Sequence, residues 1–232
     1  PDDEGIFTAG PLGLGNRRLA IVDLSPAAHQ PMSTSDGLYW LTYNGEFYNY
    51  LEFRSRLEGR GYVFKSTSDT ETLLNLLKEL GPSALSDVAG IFAFAFWDGR
   101  HKRLFLGRDP LGVKQLYYHD NGRRIVFASE IKALLESPDV PREPDAEGIN
   151  QYLHFHTPLF DRTFFRDIKQ VCAGEYIEIN RFGLHRRIYW ETDGFQAREM
   201  TPKKNVEELR TLLDFVITQQ LMSDVPVGSF FS

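Results

Sequence analysis

The stretch GIFAFAFWD, residues 90–98, constrains the chain more than any other. A strand with one wet face alternates apolar and polar residues, whereas a nearly continuous apolar run marks a strand covered on both faces. Such a strand must lie inside a layered domain. The turn DGRHK sends it back as RLFLGRD (103–109), so its partner is antiparallel. The same logic predicts a hairpin from KQLYYH through the turn DNGRR into IVFAS (125–129). Another runs from GEYIEI (174–179) through NRFG into HRRIYW (185–190). Two further strands are expected, RRLAIVD (17–23), led by two arginines, and residues 38–43.

Helical periods punctuate these strands. From Asn49, YLEFRSRLEGRG reads as a helix with Asn49 as N-cap. Ser68 and Glu71 have capping-box spacing before TETLLNLLKEL, whose Leu73, Leu74, Leu77 and Leu80 share a face. SEIKALLES (129–137) reads as a short helix. A polar stretch, ETDGFQAREMTP, then reads as a linker. It precedes an amphipathic helix with Val206, Leu209, Leu212, Leu213, Val216 and Leu221 on one stripe, and the final VPVGSFF is strand-like. Hairpin-rich sheets bracketed by helices argue an α+β layered fold, with a new unit starting near residue 203.

Totals exclude some functions. With 232 residues and 42% hydrophobic content a substantial core is assured. A net charge of −6 gives no footprint for nucleic acid or an anionic membrane surface. No apolar run approaches the ~20 residues of a membrane span. The single cysteine, Cys172, rules out an internal disulfide framework and points to a reducing compartment, the cytoplasm. The start on Pro1 and the stop at VPVGSFFS raise the expectation of a fragment.

Asn44-Gly45, within LTYNGEFYNY, is a hairpin-turn signal by itself. Only Glu46, Phe47 and Tyr48 remain as a return strand, so a strand–turn–helix junction presenting N–H groups fits better than a hairpin. The surrounding motifs supply a context. R-L-x-I-V-D (18–23), Y-N-G-E-x-Y-N (43–49), S-D-x-E (68–71), G-R-D-x-L-G-x-K (107–114), L-Y-Y (116–118) and F-A-S-E-I-K-A-L (127–134) occur in order around GIFAFAFWD. The series resembles the glutamine amidotransferase domain of glutamine-dependent asparagine synthetases, a class II amidotransferase with an N-terminal nucleophile. The end S-D-V-P-V-G-x-F-F-S (223–232) resembles the strand leading into an ATP-pyrophosphatase loop.

The resemblance implies a four-layer αββα sandwich of antiparallel sheets over residues 1–195, and a linker with the start of an α/β ATP-pyrophosphatase domain over 196–232. It implies hydrolysis of L-glutamine by the thiol of an N-terminal cysteine, whose α-amine acts as base. Asn44 (side-chain amide) and Gly45 (backbone N–H) match the oxyanion donors, Gly45 because a Cβ would crowd the oxyanion. Arg18 matches the grip on the glutamine carboxylate, where a planar guanidinium binds both oxygens. Leu19, Ala20, Ile21 and Val22 would line the pocket with backbone groups. Glu46 and Asp69 match the holders of the α-ammonium. Phe231 and Ser232 would stand at the edge of an ATP site. ATP and Mg2+ belong to the C-terminal domain, with no cofactor or metal in the amidotransferase domain. The resemblance further implies an acceptor carboxylate, L-aspartate or a relative, and a homodimeric assembly.

Taken singly, these residues have plainer readings: Arg18 an ion-pair arginine, Asp69 a first-turn helix acid, Glu46 a solvated turn residue. The nucleophile is not among the residues of this chain. Cys172 is internal, has no α-amine of its own, and reads as a buried structural thiol. Gln115 stands where the family has proline, and Cys172-Ala173 where it has Pro-Pro, which hints at a divergent member whose acceptor is aspartate or another carboxylate. His154 and His156, two apart on one side of an expected strand, lack the further ligands a zinc site needs. A non-hydrolysing β-lactam-synthetase-like scaffold and a glutamine-sensing module are the alternatives.

Overall fold

The computed structural model describes residues 2–192 and 201–229. The chain opens with the hairpin β1 (Asp3–Ala9) and β2 (Leu12–Arg18), then β3 (Met32–Ser33) and β4 (Tyr39–Phe47). Helices α1 (Tyr50–Glu58) and α2 (Asp69–Leu80) lead to β5 (Gly90–Asp98), β6 (Arg103–Arg108), β7 (Tyr117–Asp120) and β8 (Ile125–Ala128). After α3 (Ile131–Leu134) and α4 (Ala146–Phe155) come β9 (Ile168–Gln170), β10 (Glu175–Asn180) and β11 (Gly183–Ile188), and later α5 (Pro202–Gln220). The central sheet runs β11-β10-β6-β5-β4-β3, flanked by the pair β1-β2 and the sheet β8-β7-β9. The pairings within all three sheets are antiparallel.

β5 explains the layering. Every residue from Phe92 to Phe96 is at most 3% exposed, so neither face is wet. Phe92, Phe94 and Phe96 pack with Phe53 and Leu57 of α1 and Leu73, Leu74 and Leu77 of α2. Ala93 and Ala95 face the other way, against Leu14 of β2, Leu116 just before β7 and Tyr118 of β7. Large rings thus fill the sheet–helix gap, and small methyls let the sheets approach. Beyond β7, Leu134 and Ile168 close a third cluster with Val126 and Ile131, which puts α3 on the outer face. The order helices, sheet, sheets, helix is the four-layer αββα sandwich that the resemblance implies.

Several local expectations are corrected. Residues 17–23 do not form one strand: β2 ends at Arg18, and Asp23 sits at φ 58°, in the left-handed region that a strand cannot include. Asn44 and Gly45 are neither a hairpin nor a junction but lie inside β4, opposite Ala93 and Phe92. Ser68 does cap α2, accepting from Thr70 N–H, but Glu71 does not reach back to it. The Glu71 carboxylate accepts instead from the N–H groups of Lys65 and Ser66 and from Ser66 Oγ. Asn49 makes no side-chain cap on α1; its amide bridges Asp87 O and Ala89 N. His154 lies in the last turn of α4 and His156 at its left-handed C-cap, not on a strand.

The expected linker falls largely on residues 193–200, outside the described residues. The stripe of α5 forms as a helix, yet none of its side chains is buried among the described residues. The strand expected near the end is not seen through Ser229, and Phe230, Phe231 and Ser232 lie outside the described residues.

Candidate functional site

A cavity of about 840 Å³ opens beside the free edge of β4, between that edge, β2 with the loop after it, and β8 with α3. The edge exists because β3 is short: it pairs only with Trp40 and Leu41, and β4 runs on alone. Along the edge, N–H groups alternate. Tyr48 N–H donates to Ala89 O on the β5 side, and Phe92 turns its own N–H away from β4 to Asp109. The N–H groups of Tyr43, Gly45 and Phe47 therefore point to the open side. Tyr43 N–H is taken by Gln30 Oε1 at 2.7 Å, and Phe47 N–H by Asp69 Oδ2 at 3.0 Å. Gly45 N–H lies between them with no side-chain acceptor among the described residues, facing the cavity.

Asn44 is exposed and Glu46 half-buried, both on the face of β4 turned from α1 and α2, and both line the cavity. The need for glycine at position 45 is set by the neighbouring strand. A Cβ there would run into the Ile91 carbonyl oxygen and stand 2.6 Å from Phe92 Cα. Packing inside the sheet is thus by itself a sufficient reason for glycine at this position.

Two carboxylates share the inner end. Asp69 opens α2 and is buried; burial raises its pKa, opposed by hydrogen bonds from Phe47 N–H, Thr70 and Tyr43 Oη. Glu46 is pushed up to about 7, by burial and by the charge of Asp69, with Lys114 pulling it down. Two acids of raised pKa at one place favour a cationic partner.

Arg18, at the end of β2, is nine-tenths buried. Its Nη2 donates to Val22 O at 2.9 Å and to Asp23 O, so the loop curls back onto the guanidinium. Nη2 belongs to both two-nitrogen edges of the group. A carboxylate is therefore left Nε and Nη1 as single donors, not the two-point grip expected from the residue type. The loop backbone is also less available than expected. Ala20 does not line the cavity, and its N–H goes to Asp2 Oδ2. Leu19, Ile21 and Val22 do line it, but the Ile21 carbonyl accepts from Asp224 N–H.

Sequence reasoning assigned no role to Lys114, Asn16, Gln30 or Asp23. Lys114 was legible as the last residue of G-R-D-x-L-G-x-K. Asn16 Nδ2 donates to Tyr43 O and Gln30 Oε1, which steadies the β4 edge, and nothing in the local sequence announces either. The two departures from the family pattern are structural. Gln115 Oε1 accepts from Arg108 Nη2 at 3.0 Å, and Cys172 is partly buried beside Arg186, whose Nη2 donates to its Sγ at 3.2 Å. Neither lines the cavity, and the thiol is pushed up by burial and by Glu175. The buried structural thiol expected is thus only partly buried. Among the described residues no group of His, Cys, Asp and Glu is arranged to hold a metal ion.

A family profile described as glutamine amidotransferase domain matches residues 1–190. The chain belongs to that family. Over 233 residues it is 36% identical to asparagine synthetase (glutamine-hydrolyzing) 1 of Bacillus subtilis (strain 168), covering 100% of this chain and 36% of the relative. Over 236 residues it is 34% identical to asparagine synthetase B (glutamine-hydrolyzing) of Escherichia coli (strain K12), covering 100% of this chain and 37% of the relative. The chain thus spans little more than a third of these relatives. Glutamine phosphoribosylpyrophosphate amidotransferase from B. subtilis shares the fold, with a TM-score of 0.54 and 23% identity over 78% of this chain and 35% of that one. Both named relatives are glutamine-hydrolysing synthetases, so the non-hydrolysing scaffold reading gains no support.

Proposed function

We propose that this cavity binds L-glutamine and hydrolyses its side-chain amide, supplying ammonia to an asparagine synthetase-type ligase. One observation carries the reading: the unshared Gly45 N–H lies in the same cavity as the Glu46–Asp69 carboxylates and Arg18. Glutamine has a matching set of groups. Its α-ammonium suits the paired acids, its α-carboxylate suits the free Nε and Nη1 of Arg18, and its amide oxygen suits Gly45 N–H and the Asn44 amide. A thiol attacks the amide carbon, the carbonyl oxygen becomes an oxyanion, and ammonia leaves as the thioester forms. Water then releases glutamate and restores the thiol. By family resemblance that thiol is an N-terminal cysteine upstream of Pro1.

The division into an amidotransferase domain (1–195) and the start of an ATP-dependent domain (196–232) belongs to the same proposal. So do ATP, Mg2+ and an acceptor carboxylate, L-aspartate or a relative, handled beyond Ser232, and a cytoplasmic homodimer. No helix among the described residues is long and apolar enough to cross a membrane.

The test is glutaminase activity of the natural full-length chain and its Asn44→Ala and Arg18→Ala variants. Both variants should be impaired, the first in turnover and the second in glutamine affinity. Wild-type activity in both would remove the site assignment.

A further inference from the structure

The loop that curls onto Arg18 is held from far along the chain. Asp224 N–H donates to Ile21 O at 2.9 Å, and Asp23 N–H donates back to Asp224 Oδ2 at 2.7 Å. Met222, two residues earlier, packs against the main core, as do Ile21 and Val22, so the contact is seated on the core. Asp23 is the hub. Its left-handed backbone, at φ 58°, is costly for a residue with a side chain and persists where the surroundings over-determine it. Every polar group it has is engaged. Its carboxylate accepts from Thr67 N–H at 2.7 Å and from the N–H and Oγ of Ser25. Those bonds hold its pKa below the usual carboxylate range although burial opposes them. Its carbonyl accepts from Arg18, and its N–H goes to Asp224. Thr67 in turn leads directly into Ser68 and Asp69 at the start of α2. One strained residue thus links Arg18 to the Asp69 end of the cavity, and Asp224 supplies the charge-assisted bond to its N–H.

We propose that Asp224 is a positioning residue: from the segment after α5 it holds residues 21–23 in the form that presents Arg18 to the α-carboxylate of the substrate. This rests on the reading of the cavity as a glutamine site. It gives a segment some 200 residues downstream of the loop a share in glutamine affinity without touching glutamine.

The experiment is a glutaminase assay on the natural full-length chain. Asp224→Ala should raise KM for glutamine about tenfold with kcat within about twofold, as expected for losing one charge-assisted hydrogen bond that acts on substrate binding. In an Arg18→Ala background the same substitution should add nothing, because the group it positions is gone. Asp224→Asn keeps an oxygen acceptor at Asp23 N–H and should bring KM back to within about threefold of wild type. If Asp224→Ala does not fold, Asp224→Glu, which keeps the charge and misplaces it by one methylene, takes its place and should still raise KM. Wild-type KM in the Asp224 variant alongside raised KM in Arg18→Ala overturns this proposal alone. Equal losses of kcat in both backgrounds overturn it in favour of a purely structural role. Unchanged KM in Arg18→Ala overturns the glutamine reading itself.

Discussion

Asn44 and Glu46 stand two residues apart on one face of β4 and carry different burdens. Asn44 is exposed, and its side chain makes no hydrogen bond among the described residues, so the fold loses little without it. Asn44→Ala should lower kcat by about 10²–10³, the usual cost of an oxyanion donor, while leaving the urea midpoint unchanged. A shifted midpoint with normal kcat would reverse that assignment. Glu46 instead carries a pKa of about 7, raised by burial and by Asp69. A bound ammonium favours the charged carboxylate, so binding must expel the proton that Glu46 holds below that pH. Glutamine affinity should therefore weaken as pH falls below about 7 and level off above it. The measurement is KM against pH, with calorimetry in two buffers below the midpoint to count released protons. A flat profile contradicts the pairing. Folding stability changes in the same window: a carboxyl raised from 4.5 to about 7 makes the native state bind more protons between those values, so its contribution to stability is lost as pH rises through them.

At the level of elements, the start of α2 shows how far a local signal reaches. S-x-x-E was legible as a helix start, and a helix starts there. The reciprocal box does not form, because the Glu71 carboxylate finds three closer donors in Lys65 and Ser66. Two stability changes follow. Ser68→Ala should cost about 1 kcal/mol, the loss of one cap. Glu71→Ala should cost more, about 2–3 kcal/mol, since it strands buried donors. Urea unfolding of both variants checks this, and the opposite order would argue for the reciprocal box. The hairpins were readable because a period of two and a turn are local properties. The Asn-Gly pair misled for the converse reason: the strand through it is stabilised by β5 alongside, which no local window contains. Residues 19–23 were apolar enough for a strand, but the Val22 and Asp23 carbonyls are drawn to the guanidinium of Arg18.

For the molecule as a whole, β5 is the element both sheet layers and the helical layer depend on. Phe94 is almost fully buried against α2 and β6, where Gly107 leaves room for its ring. Phe94→Ala should cost about 3–5 kcal/mol, read as a lowered melting temperature in calorimetry. The cavity lies where β4 outruns β3, so its position is a consequence of strand lengths in the sheet rather than of any motif.

From the sequence alone came the α+β class, the hairpins around residues 90–109, the family resemblance and the cavity-lining residues Arg18, Asn44, Gly45, Glu46 and Asp69. These follow from periodicity and from an ordered series of motifs, both of which a linear string preserves. Tertiary structure alone decided which N–H groups of β4 stay unshared, that Gly45 is required by Ile91, and that the guanidinium of Arg18 is half spent on its own loop. It also decided that Asp224 reaches back to Asp23. Each of these depends on atoms brought together from distant positions, where burial makes an unpaired polar group costly and so fixes which partner each group takes.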